Sequence, residues 1–513
     1  MKLERTENAV RNVKFGVLQK IFQIVFPFLM RTIMYQTLGA NYLGLNGLFT
    51  SVLQVLNLAE LGVGSAMVYS MYEPIVKDDT ETICALLRLY RIYYRIIGLV
   101  VAVVGIMITP AVPFLVRHAV PEGMDIYVLY WMNLAGTVLS YWLFAYKNSL
   151  LLAFQRNDIM SKIAITTSIL QNFLQLAVLL IFKDYYVFLA VMLLTQMVNN
   201  LMTALVVARL YPEYRPKGRL SGELTQSINR RIVDLFPSKV GSVIVNDADT
   251  IVISAFLGLP MLAVYQNYYY ILTAVVALVS ILFSACMAGI GNSLIVEGKK
   301  KNLHDFQMLT FIILWITCFC TSMLLNLYQP FMIMWMGEDQ LLSMGVVGML
   351  CVYYFTYEIN RLFNTFKDAG GIWHKDRCRP LVTALSNLGL NLLLVQVMGI
   401  YGIVISTIVS TLIVGMPWLL HNLFHEIFSP DDLWPYVRRL AMDVLSVAVV
   451  IGVTYLACCV VSASGFWELV IKALLCAGLS NGLLVVLWGR RQEFRGCLGL
   501  VQRVLGKGNK KQH

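Results

Sequence analysis

One pattern governs what this chain can fold into. Apolar runs of about 20 residues, the length that crosses a bilayer as a helix, recur along the whole chain with only short connections between them. A run such as "LVVAVVGIMI" (99–108) is continuous rather than alternating, so membrane helices are expected and a membrane barrel is not. Hydrophobic residues make up 58% of the 513, and charged residues only 13%, about half the share of a soluble domain. The expectation is an all-α, polytopic membrane protein.

Spans can be centred near Val25, Leu58, Val100, Leu139, Leu170, Leu194, Val245, Val275, Trp315, Tyr354, Leu390, Val409, Val449 and Leu475, about fourteen in all. Orientation follows from Lys and Arg, which favour cytoplasmic connections. One alternate set carries Lys77, Arg156, Lys162, the stretch from Arg215 to Arg231, Lys299 to Lys301, Lys375 to Arg379, and Arg438 with Arg439. The other set carries Arg117 and Lys183 and little else. Both termini fall with the basic set, so both are expected in the cytoplasm, which an even number of spans satisfies. The net charge of +11 is largely this asymmetry and does not require a nucleic-acid partner. No short apolar core with a cleavage site opens the chain, so the first helix is expected to be retained.

Helix 1 ends "RTIMYQTLGANYLGL" and helix 7 ends "DTIVISAFLGLPMLAV". Aligning Gly39 with Gly258 superposes Leu38 on Leu257 and Leu43 on Leu262, an internal repeat of six helices. Parallel repeats occur in many transporters, with the substrate between the halves.

Several chemistries are missing. There is no GxxxxGK[ST] loop for ATP, and no long connection to house an active-site domain. The ten cysteines sit mostly in apolar runs without a CxxC and read as small core residues. His421 and His425 have metal spacing but stand at a helix end, where packing explains them. "DAD" (247–249) matches a nucleotide-sugar metal motif but is flanked by membrane sequence. An enzyme is therefore not expected, nor a metal or an organic cofactor.

The informative residues are the charges inside spans, which are costly there and are kept for a purpose. In "VFPFLMRTIMYQTLG" (25–39), Arg31 lies about 12 Å below the outer end of helix 1 at 1.5 Å per residue. Pro27, one turn earlier, is expected to kink the helix. Glu60, in the middle of helix 2, is a candidate ion-pair partner that positions Arg31. Arg88, Arg91 and Arg95 share one face of helix 3, with Arg95 the deepest. Lys147 lies about two turns inside helix 4, Lys239 sits near the inner edge of helix 7, and Arg361 has Glu358 one turn before it as a candidate partner. The excess is cationic, and Arg suits phosphate through its planar fork. The expected ligand is a phosphate-bearing solute or lipid, held by Arg31, Arg95 and Lys147.

The stretch from Arg31 through Leu38-Gly39, Tyr42-Leu43-Gly44-Leu45, Glu60-Leu61-Gly62 and Gly64-Ser65-Ala66 resembles the first two helices of the Wzx-type lipid-linked polysaccharide (O-antigen and capsule) flippases. These belong to the multidrug/oligosaccharidyl-lipid/polysaccharide exporter superfamily. The local match covers residues 31–75; over the rest of the chain the likeness is one of helix count. It implies two six-helix lobes (1–212 and 213–428) around a cationic cavity, then two added helices and a basic cytoplasmic tail (429–513). It implies a flippase of the bacterial inner membrane that moves an undecaprenyl-pyrophosphate-linked oligosaccharide to the outer leaflet, with a glycan polymerase and glycosyltransferases as partners. Tyr265 and Tyr268 in "YQNYYY" are candidates for stacking on sugars or for the outer aromatic belt.

A gradient must drive such a protein. Asp247 and Asp249 lie about 14 to 16 Å below the outer end of helix 7 at 1.5 Å per residue, and helix 11 carries Asn387 and Asn391 one turn apart. A carboxylate with amide oxygens suits Na+, and a carboxylate alone suits H+. Helix packing is the competing explanation, and the related lipid-precursor flippases imply a sodium site between helices 7 and 11. Two other classes stay open. A multidrug exporter of the same superfamily would need acidic residues near the cavity centre. A polymerase or scaffold of polysaccharide synthesis would need either a solvent-exposed catalytic loop or no Arg31.

Overall fold

The structure is a computed structural model and describes residues 5–60, 62–116, 121, 123–461 and 465–497. It is built of helices, with no strand among those residues. Arg117 and the basic tail beyond residue 497 lie outside them. The chain divides into two compact units, Met1–Gln266 and Asn267–His513.

The first unit begins with α1 (Arg5–Leu38), α2 (Ala40–Leu56) and α3 (Val63–Val76). It continues through α4 (Thr80–Ile108), the short α5 (Val112–Val116), α6 (Ile126–Trp142), the short α7 (Asn148–Ala153), α8 (Asn157–Ile181) and α9 (Tyr185–Leu210) to α10 (Gly222–Leu257). Asp79, Asp125 and Asp184 accept from backbone amides at the starts of α4, α6 and α9 and so fix where those helices begin. α1 packs on α8 and α2, and α10 packs on α2 and α3.

α11 (Leu259–Val296) carries the chain into the second unit. There follow α12 (Lys299–Met336), α13 (Met344–Ala369), the one-turn α14 (Trp373–Asp376), α15 (Arg379–Met398) and α16 (Ile400–Val409). A π-helical turn over Ser410–Gly415 joins α16 to α17 (Met416–Glu426), and α18 (Leu433–Cys459) and α19 (Phe466–Trp488) complete the unit. Phe306 of α12 stacks with Phe428 and Tyr436 and meets Phe366 edge-on, which makes an aromatic core at that end of the unit.

Ten helices among the described residues are long and apolar enough to cross a membrane, eleven if the bent α6–α7 pair counts as one. The expected spans centred on Leu58, Val245 and Tyr354 are helical but are not among them. The first is broken between Leu56 and Val63 by a 3-10 turn over Asn57–Glu60. The others, α10 and α13, carry charged and polar residues along much of their length.

The repeat has a conformational signature. Gly39 joins α1 to α2 with φ 98° and ψ 178°, and Gly258 joins α10 to α11 with φ 89° and ψ 169°. This region is essentially closed to residues with a Cβ. Both glycine amides reach back to two carbonyls, those of Met34 and Tyr35 for Gly39 and of Ile253 and Ser254 for Gly258.

Each unit also contains a buried acidic residue gripped by basic ones. Asp158 takes Arg156 at 2.9 Å and Lys162 at 3.5 Å. Asp376 takes the Arg379 fork at 2.7 and 2.8 Å, Asn422 at 3.0 Å and Lys367 at 3.7 Å. Removing one partner of a buried pair strands the other charge and costs about 3–5 kcal/mol. Asp376→Ala is therefore expected to lower the melting temperature in detergent strongly. Asp376→Leu with Arg379→Met should recover most of the loss, and melting curves of the two variants check both outcomes.

Candidate functional site

Arg31 stands one turn past Pro27 on α1 and is partly buried. The neighbouring Thr32 hydroxyl donates to the Phe28 carbonyl at 2.9 Å. Leu18, Ile21, Val25 and Leu29 of the same helix are exposed. Arg31, Glu60, Arg95, Lys147, Asp247 and Asp249 all belong to the first unit.

Glu60 is not the ion-pair partner of Arg31. It lies in the turn that interrupts the second span, where both of its carboxyl oxygens accept tyrosine hydroxyls. Tyr94 of α4 donates to one oxygen, and Tyr141 of α6 lies 2.9 Å from the other and equally 2.9 Å from the Asn57 amide oxygen. Tyr90 then donates to Tyr94 at 2.9 Å. The three rings meet edge to face, with centroids 4.5 and 5.6 Å apart. The break in the helix turns Glu60 toward α4 and α6, and a phenol cage replaces the expected guanidinium.

This makes a testable difference. The effects of Arg31→Ala and Glu60→Gln on the unfolding free energy, whatever their sign, should add to within about 0.5 kcal/mol. Glu60→Gln and Tyr94→Phe, which share a hydrogen bond, should show coupling above that level in a double-mutant cycle of unfolding free energies in detergent.

The arginines of α4 separate by depth. Arg88 donates to the Gly218 carbonyl at 2.7 Å and ties α4 to the connection before α10. Arg95 is exposed and makes no ion pair among the described residues. Arg91 and Arg95 both act electrostatically on Tyr146, the neighbour of Lys147. Lys147 follows the left-handed Phe144 (φ 59°), where α6 and α7 meet at a 48° bend. Its ammonium donates to the Ala204 carbonyl of α9 at 3.2 Å and lies 5.4 Å from the Phe144 ring centroid. Lys147 thus ties the bend to α9.

Asp247 on α10 is partly buried and lies near Ser51 of α2, while Asp249 is buried. The side chain of Lys239 lies outside the described residues. Asn387 and Asn391 belong to the second unit and are fully buried. Asn391 donates to Asn387 at 3.3 Å, and Asn387 donates to the Thr407 hydroxyl at 2.8 Å, a ladder joining α15 to α16.

Tyr265 and Tyr268 do not present rings to a sugar. Tyr265 is buried, and Tyr268 is enclosed, its hydroxyl donating to Gln329 at 2.8 Å and accepting from the Leu342 amide at 3.2 Å. Its ring packs on Tyr328 with centroids 5.2 Å apart. His421 and His425 pack against each other with tilted rings, centroids 4.0 Å apart, and no group of three His, Cys, Asp or Glu residues that could hold a metal occurs among the described residues.

Glu358 and Arg361 do not pair either. Arg361 donates to the Val276 carbonyl at 3.3 Å and lies over Phe283, 5.1 Å from its centroid. Glu358 is fully buried, with neither carboxyl oxygen hydrogen-bonded.

Comparisons with known proteins bear on the fold. No protein-family model matches the chain, and no curated protein matches it. Solved structures do. The lipid II flippase MurJ in an inward closed conformation superposes with a TM-score of 0.69 at 13% identity, over 93% of this chain and 99% of that one. An inward-facing multidrug-resistance MATE transporter of the MOP superfamily gives 0.62 at 16% identity, over 81% and 98%. A MOP superfamily transporter from Pyrococcus furiosus, described as having a binding pocket of reverse polarity, gives 0.53 at 16% identity over 81% and 96%. At these identities the likeness is one of fold: this chain shares the fold of these solved transporters.

Proposed function

We propose that the chain is a flippase for a lipid-linked oligosaccharide carried on undecaprenyl pyrophosphate, moving it from the cytoplasmic to the outer leaflet by alternating access for surface polysaccharide assembly. In this reading it spans the bacterial inner membrane fourteen times with both termini inside. Residues 1–212 and 213–428 form two six-helix lobes, and residues 429–513 add two helices and a basic tail. A polymerase and glycosyltransferases are its partners.

The observation that carries the reading is Arg31. A guanidinium in the apolar part of α1 costs about 2.5–3.5 kcal/mol on insertion scales, and its planar fork matches the phosphates of such a substrate. The MOP fold, whose solved members include a lipid II flippase, supports a lipid-linked substrate. The exposed Arg95 supplies a second cation on α4 for the pyrophosphate. Lys147 is a contributor only when released from the Ala204 carbonyl. Moving negative charge out of an inside-negative cell is favourable by roughly 2.3 kcal/mol per charge per 100 mV, so the membrane potential assists the loaded step. Na+ or H+ then assists the reset.

The test reconstitutes the full chain in liposomes with a fluorescent undecaprenyl-pyrophosphate glycan and removes outer-leaflet label with an impermeant reagent. Label accessible beyond the outer-leaflet half, and faster loss under an imposed potential, are expected. A half-protected pool that never exchanges would overturn the reading. A second reading, multidrug export, draws on the buried carboxylate Glu358 and the MATE neighbours; export of a cationic dye with no glycan movement would select it.

A further inference from the structure

We propose that a cavity inside the first unit, walled by α1, α7, α8 and α9, binds one uncharged sugar ring. The proposal rests on the flippase reading for the source of that ring, a unit of the lipid-linked oligosaccharide; the class of ligand follows from the walls themselves.

The cavity measures about 230 Å3. At ~30 Å3 per water that is room for about seven waters, well beyond a single ion and suited to one ring with its hydroxyls. Helix periodicity builds the walls. Asn157, Met160, Ser161 and Ala164 are spaced i, i+3, i+4, i+7 and share one face of α8. Asn199 and Thr203 stand one turn apart on α9, and Gln19 of α1 and Asn148 at the start of α7 complete the lining. α8 packs on α1, α7 and α9. The mouth lies at the first turn of α8, where Asn157 is exposed. In the proposed orientation that end faces the cytoplasm, where the glycan is loaded.

Four amides and two hydroxyls therefore meet here, and no charged residue lines the cavity. Charges stand beside it but are held elsewhere. Lys147 donates to the Ala204 carbonyl, and Arg156 and Lys162 grip Asp158. The Lys162 ammonium also lies over the Phe15 ring, 4.4 Å from its centroid. Lys20, next to Gln19, is exposed and outside the lining.

The hydrogen bonds show which polar groups are left for a ligand. Further along α8 and α9, side chains answer one another. Thr167 donates to the Asn199 amide oxygen at 3.1 Å, and Thr195 donates to the Gln171 amide oxygen at 3.2 Å. Gln171 in turn donates to Gln175 at 3.4 Å. At the cavity this pairing stops. Among the described residues, the side chains of Gln19, Asn148, Asn157 and Ser161 have no hydrogen-bond partner. Ser161 is only 6% exposed, and buried polar groups are nearly always paired.

An anion would find no cation in these walls, and a cation no carboxylate. Amides offer both donors and acceptors, which is what a sugar hydroxyl needs, since it donates and accepts at one oxygen. Met160 and Ala164 give the C–H face of a ring an apolar surface. A ring brings several hydroxyls already joined together, so fewer molecules are ordered than when separate waters fill the same space.

The experiment uses the purified full chain in a detergent without a sugar headgroup and reads contact by saturation-transfer NMR. The probes are glucose, galactose and N-acetylglucosamine, with glucuronate and galacturonate as charged counterparts. A saturable signal from at least one neutral sugar is expected, with both acids binding more weakly. Gln19→Ala, Asn148→Ala and Ser161→Ala each remove a group with no internal partner. Each should weaken binding about two- to tenfold and leave the melting curve unchanged. The same variants are then titrated with an undecaprenyl-pyrophosphate glycan in nanodiscs. Parallel loss of glycan affinity makes the ring a unit of the transported lipid, and sugar binding lost without it makes the ligand a free sugar. No sugar signal together with unchanged glycan affinity would mean a cavity of water alone and would overturn the proposal. So would sugar binding that all three variants preserve, or tighter binding of the acids. Glycan movement in liposomes is a separate readout: its failure with sugar binding kept strikes the flippase reading alone, and its success with the cavity unresponsive strikes only this site.

Discussion

Cells carrying Arg31→Ala are expected to assemble the protein at normal levels and to export no surface glycan. An apolar residue at this depth favours insertion, so lost export cannot be charged to misassembly if the protein is recovered from the membrane with an unchanged melting curve. Arg31→Lys should restore little, because a lysine offers a point charge in place of a two-pronged donor. Immunoblotting of membranes alongside surface staining of the glycan checks both variants. Normal staining in Arg31→Ala cells would remove Arg31 from substrate binding, and full rescue by Lys would reduce it to a charge.

The second large effect is expected at Gly44. A Cβ built on this residue of α2 falls 2.3 Å from the backbone oxygen of Leu259 and 3.0 Å from its carbonyl carbon. Leu259 follows Gly258, whose φ of 89° leaves that turn little freedom to retreat. Ordinary contact needs about 3.4 Å or more, so Gly44→Ala must push α2 off the α10–α11 turn by roughly an ångström. Overpacking of this kind costs about 1–3 kcal/mol. We expect Gly44→Ala to lower the melting temperature and Gly44→Leu to abolish transport outright. Wild-type rates in both variants would mean that this contact opens and closes without functional consequence.

Much of the architecture was legible because apolar runs and basic connections are local signals. Every expected span centre falls within an α-helix except Leu58, which lies in the 3-10 turn joining α2 to α3. The Gly39–Gly258 correspondence, drawn from a few matching letters, is a shared backbone conformation. The break near Leu58 was not legible: "VLNLAELGVGSA" contains no proline and is apolar on both sides, and only its glycines hint at an interruption. The partners of Glu60 were not legible either. Tyr94 and Tyr141 lie 34 and 81 residues further along the chain. A phenol that answers a carboxylate leaves no charge pattern to read. For the same reason nothing in sequence marks Lys147 as a lysine held by the Ala204 carbonyl. Glu358 looked paired because Arg361 is one turn away, yet the guanidinium turns toward α11.

The π turn at Ser410–Gly415 has a consequence for tracing descent. A wide turn of this type accommodates one residue beyond the α-helical repeat. Each residue in an α-helix advances by about 100°. The extra residue therefore sets the azimuth of everything that follows in α17, including the inward-facing Leu419, Leu420, Leu423 and Phe424. A cousin that lacks it would keep the same inward face only by shifting its letters one place. Relatives compared with this chain as ungapped rods would then disagree at every position from Met416 to Glu426 while folding alike. A single-residue gap placed inside the span would bring the faces back into agreement.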